Sequence, residues 1–404
     1  MAALTRTFSD SGHTDMILSG HIEQRWDGDP FVARITSDAS RPFTIRGVEG
    51  LLISEKVPHP FPIGFKAYFA LNKVQAIPAN ASVIKLPADL SYVQSGDIVA
   101  VHPRNSELRV IYRIKSQHNS LMVTPACNSF CLMCSQPPSK TDIEIFRLLW
   151  HSIPLMDIDT PGLILSGGEP TLVGSSLVEL ISRLKCFLPS TGVHLLTNGR
   201  RLKFLSFAQD IAAVGHSDLI LGIPLYSDVA HEHDYIVQSR GAFDETVCGL
   251  LNLARCGIQV ELRVVITKQN FDCLPRLGRF ISRNFPFVCN VALMGLEPVG
   301  LAEANLMDVW IDPADYSMQL TAAVKELKFN RIPVTIYNHQ LCTLGPELWS
   351  LSRQSISDWK NAFLPECETC HVKHDCCGFF ASGLSVHSRA IRPVTTMTSC
   401  AESN

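Results

Sequence analysis

The stretch LMVTPACNSFCLMCSQPP, residues 121–138, decides how the rest of the chain is read. Its opening LMVTP has the composition of a short strand. It runs into three cysteines, Cys127, Cys131 and Cys134, spaced C-x3-C-x2-C. Turns this short let all three sulfurs face one metal centre. Three thiolates suit a four-iron cluster with one iron left free of protein, open to the amine and carboxylate of a small molecule. Two plainer readings stand beside this one. A C-x2-C pair also serves zinc, with a fourth ligand recruited from elsewhere, and the cysteines could be free thiols.

Downstream, strand and helix patterns alternate. TDIEIFRLLWHSI (141–153) reads as a helix, with Thr141 and Glu144 as a capping box. GLILSGG (162–168) is a strand ending in glycines, SSLVELISRLKCFL (175–188) an amphipathic helix, and VHLLTNG (193–199) another strand with a turn. DLILGIPL (218–225), VELRVVI (260–266) and FVCNVAL (287–293) supply three more strands. The helix DETVCGLLNLARCG (244–257) precedes VELRVVI, with Gly257 as its stop. Such alternation over residues 121–335 requires a parallel sheet with crossover helices. The apolar strands predict a sheet covered on both faces. A barrel and an open doubly wound sheet share this pattern; in a barrel, SGGEP and TNGR would lie at the catalytic mouth.

The flanks read differently. Residues 1–30 are polar and irregular. Residues 31–120 form a β-rich N-terminal domain, read from PFTIRGVEGLLIS (42–54), SVIKLPADL (82–90) and the hairpin DIVAVHP–RNSE–LRVIYRI (97–114). Residues 336–390 form a small metal-binding module, with too little apolar pattern to hold a core without help. Residues 391–404 read as a tail. The expected fold is therefore α/β: a partial (β/α)6 TIM-like barrel, a β-rich N-terminal domain and a small C-terminal metal-binding module.

Composition narrows the function classes. The 404 residues carry a formal charge of −3, which gives no support to bulk nucleic-acid binding. No run reaches the roughly 18 apolar residues of a membrane span, and the start lacks a secretory segment. A cytoplasmic location, with neither membrane nor nucleic acid as partner, is the expectation. Of fourteen cysteines, three fall within 127–134 and four within 367–377, bunching that suits metal. Cys186, Cys248, Cys256 and Cys273 sit singly and read as core or incidental thiols.

The cysteine segment resembles the cluster motif of the radical S-adenosylmethionine (SAM) superfamily, and SGGEP (166–170) resembles its second motif. The resemblance implies a [4Fe-4S] cluster on Cys127, Cys131 and Cys134, with SAM on the open iron. It implies that Gly167, Gly168, Glu169 and Pro170 hold the methionine amino group. Their chemistry agrees: glycine lets backbone approach a ligand, and Glu169 can accept from an ammonium. Phe130 or Met133 would shield the adenine. Thr197 and Asn198 would face the same mouth. Ser227 and Asp228 lie where relatives contact the nucleoside, although the usual S-L-D-G is PLYSD here. Arg263 would meet the methionine carboxylate; its plain reading is a structural salt bridge, since a buried charge demands a partner. His231 and His233 could ligate zinc or belong to an ordinary polar loop that Asp234 helps to fix.

A second group, Cys367, Cys370 and Cys376, has the spacing C-x2-C-x5-C, with Cys377 adjacent and Cys342 twenty-five positions before Cys367. It resembles the auxiliary-cluster modules called SPASM or twitch. Phe380 stands where a further cysteine would be needed for two clusters, so one auxiliary [4Fe-4S] cluster is expected. Zinc, with His371 or His374 added, is the alternative, and Cys400 a remote candidate ligand. NSFCLMCSQPP (128–138) and LILSGGEPTLVG (163–174) further resemble the His-Xaa-Ser system radical SAM maturases. That implies a peptide or small-protein substrate with His-Xaa-Ser repeats, a partner radical SAM maturase, and an electron donor such as flavodoxin or ferredoxin. The alternatives are a small-molecule cofactor precursor as substrate, or a nonenzymatic zinc scaffold.

Overall fold

In the computed structural model, residues 19–21, 27–71, 83–354 and 362–395 are described. Most of the irregular N-terminal segment, and Cys400, lie outside them. The N-terminal strands are β1 (Ser19–His21), β2 (Phe31–Thr36), β3 (Glu49–Ile53), β4 (Ala67–Leu71), β5 (Val83–Leu86), β6 (Ile98–His102) and β7 (Glu107–Tyr112). They make one sheet in the order β1-β7-β6-β2-β3-β4-β5. The expected hairpin is present: β6 and β7 pair antiparallel, and Ser106 takes the left-handed turn conformation at φ 52°. In PFTIR the expectation of strand fails. Phe43–Arg46 is a helical turn, α1, because Arg46 turns back to donate to the carbonyls of Arg41 and Ile63 at 2.8 and 2.7 Å. The parallel pairing of β2, β3, β4 and β5 is not legible from turn residues.

The alternation after residue 120 becomes an all-parallel sheet in strict chain order: β8 (Asn119–Thr124), β9 (Gly162–Gly167), β10 (Gly192–Leu196), β11 (Leu219–Pro224), β12 (Gln259–Val265), β13 (Asn290–Met294) and β14 (Val334–Tyr337). Six of these are the strands read from the sequence; β14 crosses the expected boundary at 335. Among the described residues the edge strands β8 and β14 do not pair, so the sheet is open, consistent with a partial barrel. The crossovers are α2 (Ile143–Ser152), α3 (Ser175–Phe187), α4 (Leu205–Ala213), α5 (Ala230–Val237), α6 (Ala242–Arg255), α7 (Leu274–Asn284), α8 (Leu301–Ala304), α9 (Leu306–Val309) and α10 (Ser317–Phe329). The cap of α2 is Asp142, not Thr141: its carboxylate accepts from the Glu144 N–H at 2.9 Å, and an anion suits a helix start. Glu144 turns to Arg147 instead, at 2.7 Å. Gly257 ends α6 with φ 70°, as expected.

One face of the sheet is dry. Val123, Leu165, Leu195, Leu221, Leu262, Leu293 and Ile336 pack with Leu180, Leu184, Leu250, Ile281 and Leu320 from the helices in one core. Each such buried side chain contributes about 1.5–3 kcal/mol. The alternate positions differ from the expectation of two covered faces. Ile164, His194, Leu196, Ile220, Arg263, Asn290, Met294 and Thr335 are only half-buried. The inner wall is left open, which gives a ligand somewhere to go.

The N-terminal sheet is fixed to this unit by a buried hydrogen bond between the Tyr112 and Thr160 hydroxyls, 2.9 Å, and by Arg147 donating to the Pro30 carbonyl at 2.8 Å. At the other end, residues 388–389 strap back to Asp312. Its buried carboxylate accepts from the Ser388 hydroxyl, from the Arg389 N–H at 3.0 Å and from the Arg389 guanidinium at 3.0 Å. Burial pushes the Asp312 carboxyl up, but the hydrogen bonds from Ser388, Ala314 and Arg389 and the Arg389 charge outweigh it, so the net shift is downward. Asp312→Asn is therefore expected to lower stability by about 1.5–3 kcal/mol at neutral pH, read from denaturant midpoints. A depressed carboxyl contributes above its ordinary value of about 4 and loses the contribution as pH falls through the folded value. The gap between wild type and variant should close in acid. No helix among the described residues is long and apolar enough to cross a membrane.

Candidate metal and cofactor site

The cysteine segment leaves β8 against the loop that leaves β9. Gly168 N–H donates to the Thr124 carbonyl at 2.8 Å and Glu169 N–H to the Ala126 carbonyl at 2.7 Å. The approach is so close that a Cβ on Gly167 would sit 2.2 Å from the Thr124 oxygen, and one on Gly168 2.3 Å from the Ala126 oxygen. Gly167 also has φ 141°. These two glycines are needed by the chain's own backbone, whatever ligand they meet.

Glu169 is fully buried. Its Oε1 accepts from the Thr171 N–H at 2.9 Å, the Thr171 hydroxyl and the Thr197 hydroxyl at 2.6 Å; its Oε2 accepts from the Asn198 N–H at 2.6 Å. It is a clasp that joins the ends of β9 and β10, and Pro170 beside it opens a 3-10 turn, Pro170–Val173. Each carboxylate oxygen offers about two acceptor positions; Oε2 accepts one bond, from Asn198, and keeps room for one further donor. The structure thus brings Gly167, Gly168, Glu169, Pro170, Thr197 and Asn198 together beside the cysteine segment.

The segment itself is anchored from several sides. Phe130 and Leu132 N–H groups donate to Val237 and Ile236 carbonyls at 3.1 and 2.9 Å, and the Leu301 N–H donates to the Cys134 carbonyl at 2.8 Å. Asn305 reaches the Leu132 carbonyl at 2.8 Å, and Asn198 Nδ2 reaches Asn128 Oδ1 at 2.6 Å. Gly300, with φ 66°, admits the Cys134 and Ser135 carbonyls; a Cβ there would lie 2.7 and 2.5 Å from their oxygens. The sequence reading missed Arg200, Gly300 and Asn305. Only the Gly in EPVGL, before a short helix, carried a turn signal. Met133 is buried with Tyr226, Ile236 and Ala302, whereas Phe130 is 58% exposed at the rim.

The three thiols act on one another. Burial pushes Cys131 up to about 12, reinforced by Cys134 and Cys127 and opposed by Arg200. Burial likewise raises Cys127 and Cys134. Three crowded thiols, each costly to ionise alone, are relieved together by a cation that binds thiolate. The donor set is soft and three-fold, which fits a thiolate-ligated iron–sulfur cluster with one position free of protein.

Other candidates have partners of their own. Asp228 pairs with Arg276 at 2.9 Å, and Arg276 also meets Glu232 at 3.3 Å. Arg263 pairs with Glu261 at 2.7 Å, and Asn290 donates to Glu261 at 2.9 Å. The salt-bridge reading of Arg263 is realised on the open inner wall. His233 is buried, accepts from the Tyr226 N–H at 3.2 Å, and is pushed down to about 4 by burial; His231 is exposed. Asp234 fixes its loop by accepting from the Gly241 and Phe243 N–H groups.

Cys342, Cys367, Cys370 and Cys376 share one neighbourhood: each of the other three acts on Cys342, and Cys376 and Cys370 act on Cys367. Cys376 packs with Leu341, Val372 and Trp349. The Cys377 thiol donates to the Gly378 carbonyl at 3.3 Å, and its nearness, with the backbone around it, holds Cys376 down to about 6 against burial. The Val394 N–H donates to Cys370 Sγ at 3.4 Å. His371 and His374 are exposed. Among the described residues, the His, Cys, Asp and Glu ligand atoms that all lie within 4.8 Å of one another are those of Asp228, Glu232 and Cys273, so the four thiols are spread more widely than a single zinc ion would hold them.

No family model matches the chain. Three curated relatives resemble it at a distance. AdoMet-dependent heme synthase from Nitratidesulfovibrio vulgaris is 24% identical over 57% of this chain and 60% of its own. Fe-coproporphyrin III synthase from Methanosarcina barkeri is 26% identical over 56% of each. Pre-heme d1 synthase from Dinoroseobacter shibae is 34% identical over 29% of this chain and 27% of its own. The chain therefore spans 60% or less of the length of the curated relatives it matches. Among solved structures, Streptococcus suis SuiB bound to S-adenosylmethionine aligns with TM-score 0.46 at 14% identity, over 61% of this chain and 55% of that one. A radical SAM methyltransferase from Sphaerobacter thermophilus aligns at 0.39 and 12%, over 61% and 69%.

Proposed function

We propose that the chain is a radical SAM enzyme, with an iron–sulfur cluster on Cys127, Cys131 and Cys134. The observation that carries this is the backbone interlock of the cysteine segment with the SGGEP loop, made by Gly168 and Glu169 beside three neighbouring thiols. When bound, the cluster supplies the electron that splits SAM into methionine and a 5′-deoxyadenosyl radical. The chain's own part is to hold and to shield. Glu169 Oε2 and the turns after β9 and β10 offer acceptors to an ammonium group. The open inner wall, apolar at Ile164, Leu196, Ile220 and Met294, receives the substrate away from bulk water. Glu261, Arg263 and Asn290 give that wall one polar row to orient it.

For the substrate we put a small-molecule cofactor precursor first, because all three curated relatives are named for heme, pre-heme or coproporphyrin synthesis. The row around Arg263 suits a largely apolar molecule with a carboxylate edge. Peptide maturation, with His-Xaa-Ser repeats and a partner maturase, is the second reading. The neighbouring Cys342, Cys367, Cys370 and Cys376 favour it, as an auxiliary [4Fe-4S] centre of SPASM type. A flavodoxin or ferredoxin as donor and a cytoplasmic location complete the proposal.

Anaerobic reconstitution with iron and sulfide, followed by reaction with reductant and SAM, tests it. An iron-bearing coproporphyrin and a His-Xaa-Ser repeat peptide are offered in separate reactions, with products read by mass spectrometry. A mass change in the porphyrin is expected. A change in the peptide alone moves the assignment to the second reading. Zinc at both cysteine groups, with no cluster after reconstitution, contradicts the enzyme.

A further inference from the structure

Between Cys127 and Cys131 lie Asn128, Ser129 and Phe130, and the polar groups of this spacer are gripped from the loop after β10. Arg200 Nη1 donates to the Asn128 carbonyl and, at 3.1 Å, to the Ser129 hydroxyl. Its Nε is tied to Glu245 at 2.6 Å, and Lys203 also holds Glu245. The Arg200 side chain is only 12% exposed. A planar guanidinium reaches all three acceptors at once, where an ammonium on a flexible stem would not. The charge is permanent and close enough to act on Cys131.

We propose that Arg200 is a positioning residue: it sets the shape of the Asn128–Phe130 spacer and, as a fixed cation, raises the reduction potential of the metal centre that the spacer carries. The inference rests on the cluster reading above. Reduction adds negative charge to a thiolate-bound cluster, and a neighbouring cation stabilises the reduced state; hydrogen bonds and charge around the ligands are what set such potentials. Glu245 is the strut that aims the guanidinium.

The test uses the full chain, reconstituted anaerobically, as wild type, Arg200→Gln, Arg200→Lys and Glu245→Gln. Iron and sulfide retained against a chelator are measured together with the potential from a spectroscopic redox titration. Arg200→Gln should retain metal about 10- to 100-fold less tightly, and its potential should fall. Arg200→Lys should keep the wild-type potential while retention stays weak, because the charge remains and the fork is lost. Glu245→Gln should weaken retention without lowering the potential, and it stands in where Arg200→Gln does not fold. Wild-type retention and potential in a folded Arg200→Gln overturn the role, as does a wild-type grip on metal in Glu245→Gln. If wild type loads and Arg200→Gln is indifferent, only Arg200 is misassigned. If wild type takes up neither iron nor sulfide, the cluster reading falls and takes this inference with it.

Discussion

Gly168→Ala is expected to remove the metal site without altering a single cysteine. The new Cβ would lie 2.3 Å from the Ala126 oxygen and 2.6 Å from its carbonyl carbon. These are backbone atoms one residue before Cys127, so no side chain can swing aside. Relief must come from separating the ends of β8 and β9. That breaks the Glu169 N–H bond to Ala126 and displaces the clasp to Thr197 and Asn198. Overpacking of this kind costs about 1–3 kcal/mol, which the large helix-facing core can absorb. The fold should survive with a lower denaturant midpoint, while iron and sulfide retention after reconstitution is lost. Full retention in Gly168→Ala would mean that the interlock of the two loops is not what builds the site.

Cys131→Ala is expected to abolish SAM cleavage. Cys131 is the middle thiol of the three and feels both of the others. Two thiols cannot hold a cluster that needs three protein ligands. Release of 5′-deoxyadenosine should fall to the background of protein-free controls. Cys370→Ala is the contrasting variant: it touches the C-terminal quartet, so it should spare cleavage and instead weaken the metal and packing of residues 362–395. Equal loss in both variants would point to one folding defect rather than two separate centres.

Much of the architecture was legible because local patterns repeat: six apolar strands ending in polar loops, with amphipathic helices between them, specify a parallel sheet. The seventh strand escaped notice because Val334–Tyr337 is short and follows a proline. The N-terminal sheet was half read. A hairpin announces itself through its turn, but parallel neighbours such as β3 and β4 meet through tertiary packing. At the site, spacing singled out the cysteines, and the structure sets the segment that carries Cys127 against the SGGEP loop. The role of Glu169 was read only in part: a glutamate after two glycines suggests a ligand contact, whereas its buried carboxylate chiefly ties the chain to itself. Arg200 was invisible for a related reason. An arginine in a TNGR turn looks like surface until Glu245, forty-five residues later, folds against it.

The central claim is tested most directly by SAM cleavage in the reconstituted wild type. The protein, loaded with iron and sulfide and reduced under strict anaerobiosis, is given SAM alone, and 5′-deoxyadenosine and methionine are quantified by chromatography and mass spectrometry. The account predicts that both appear in equal amounts and that neither appears with Cys131→Ala. A fully loaded, reduced wild type that yields neither product would contradict it.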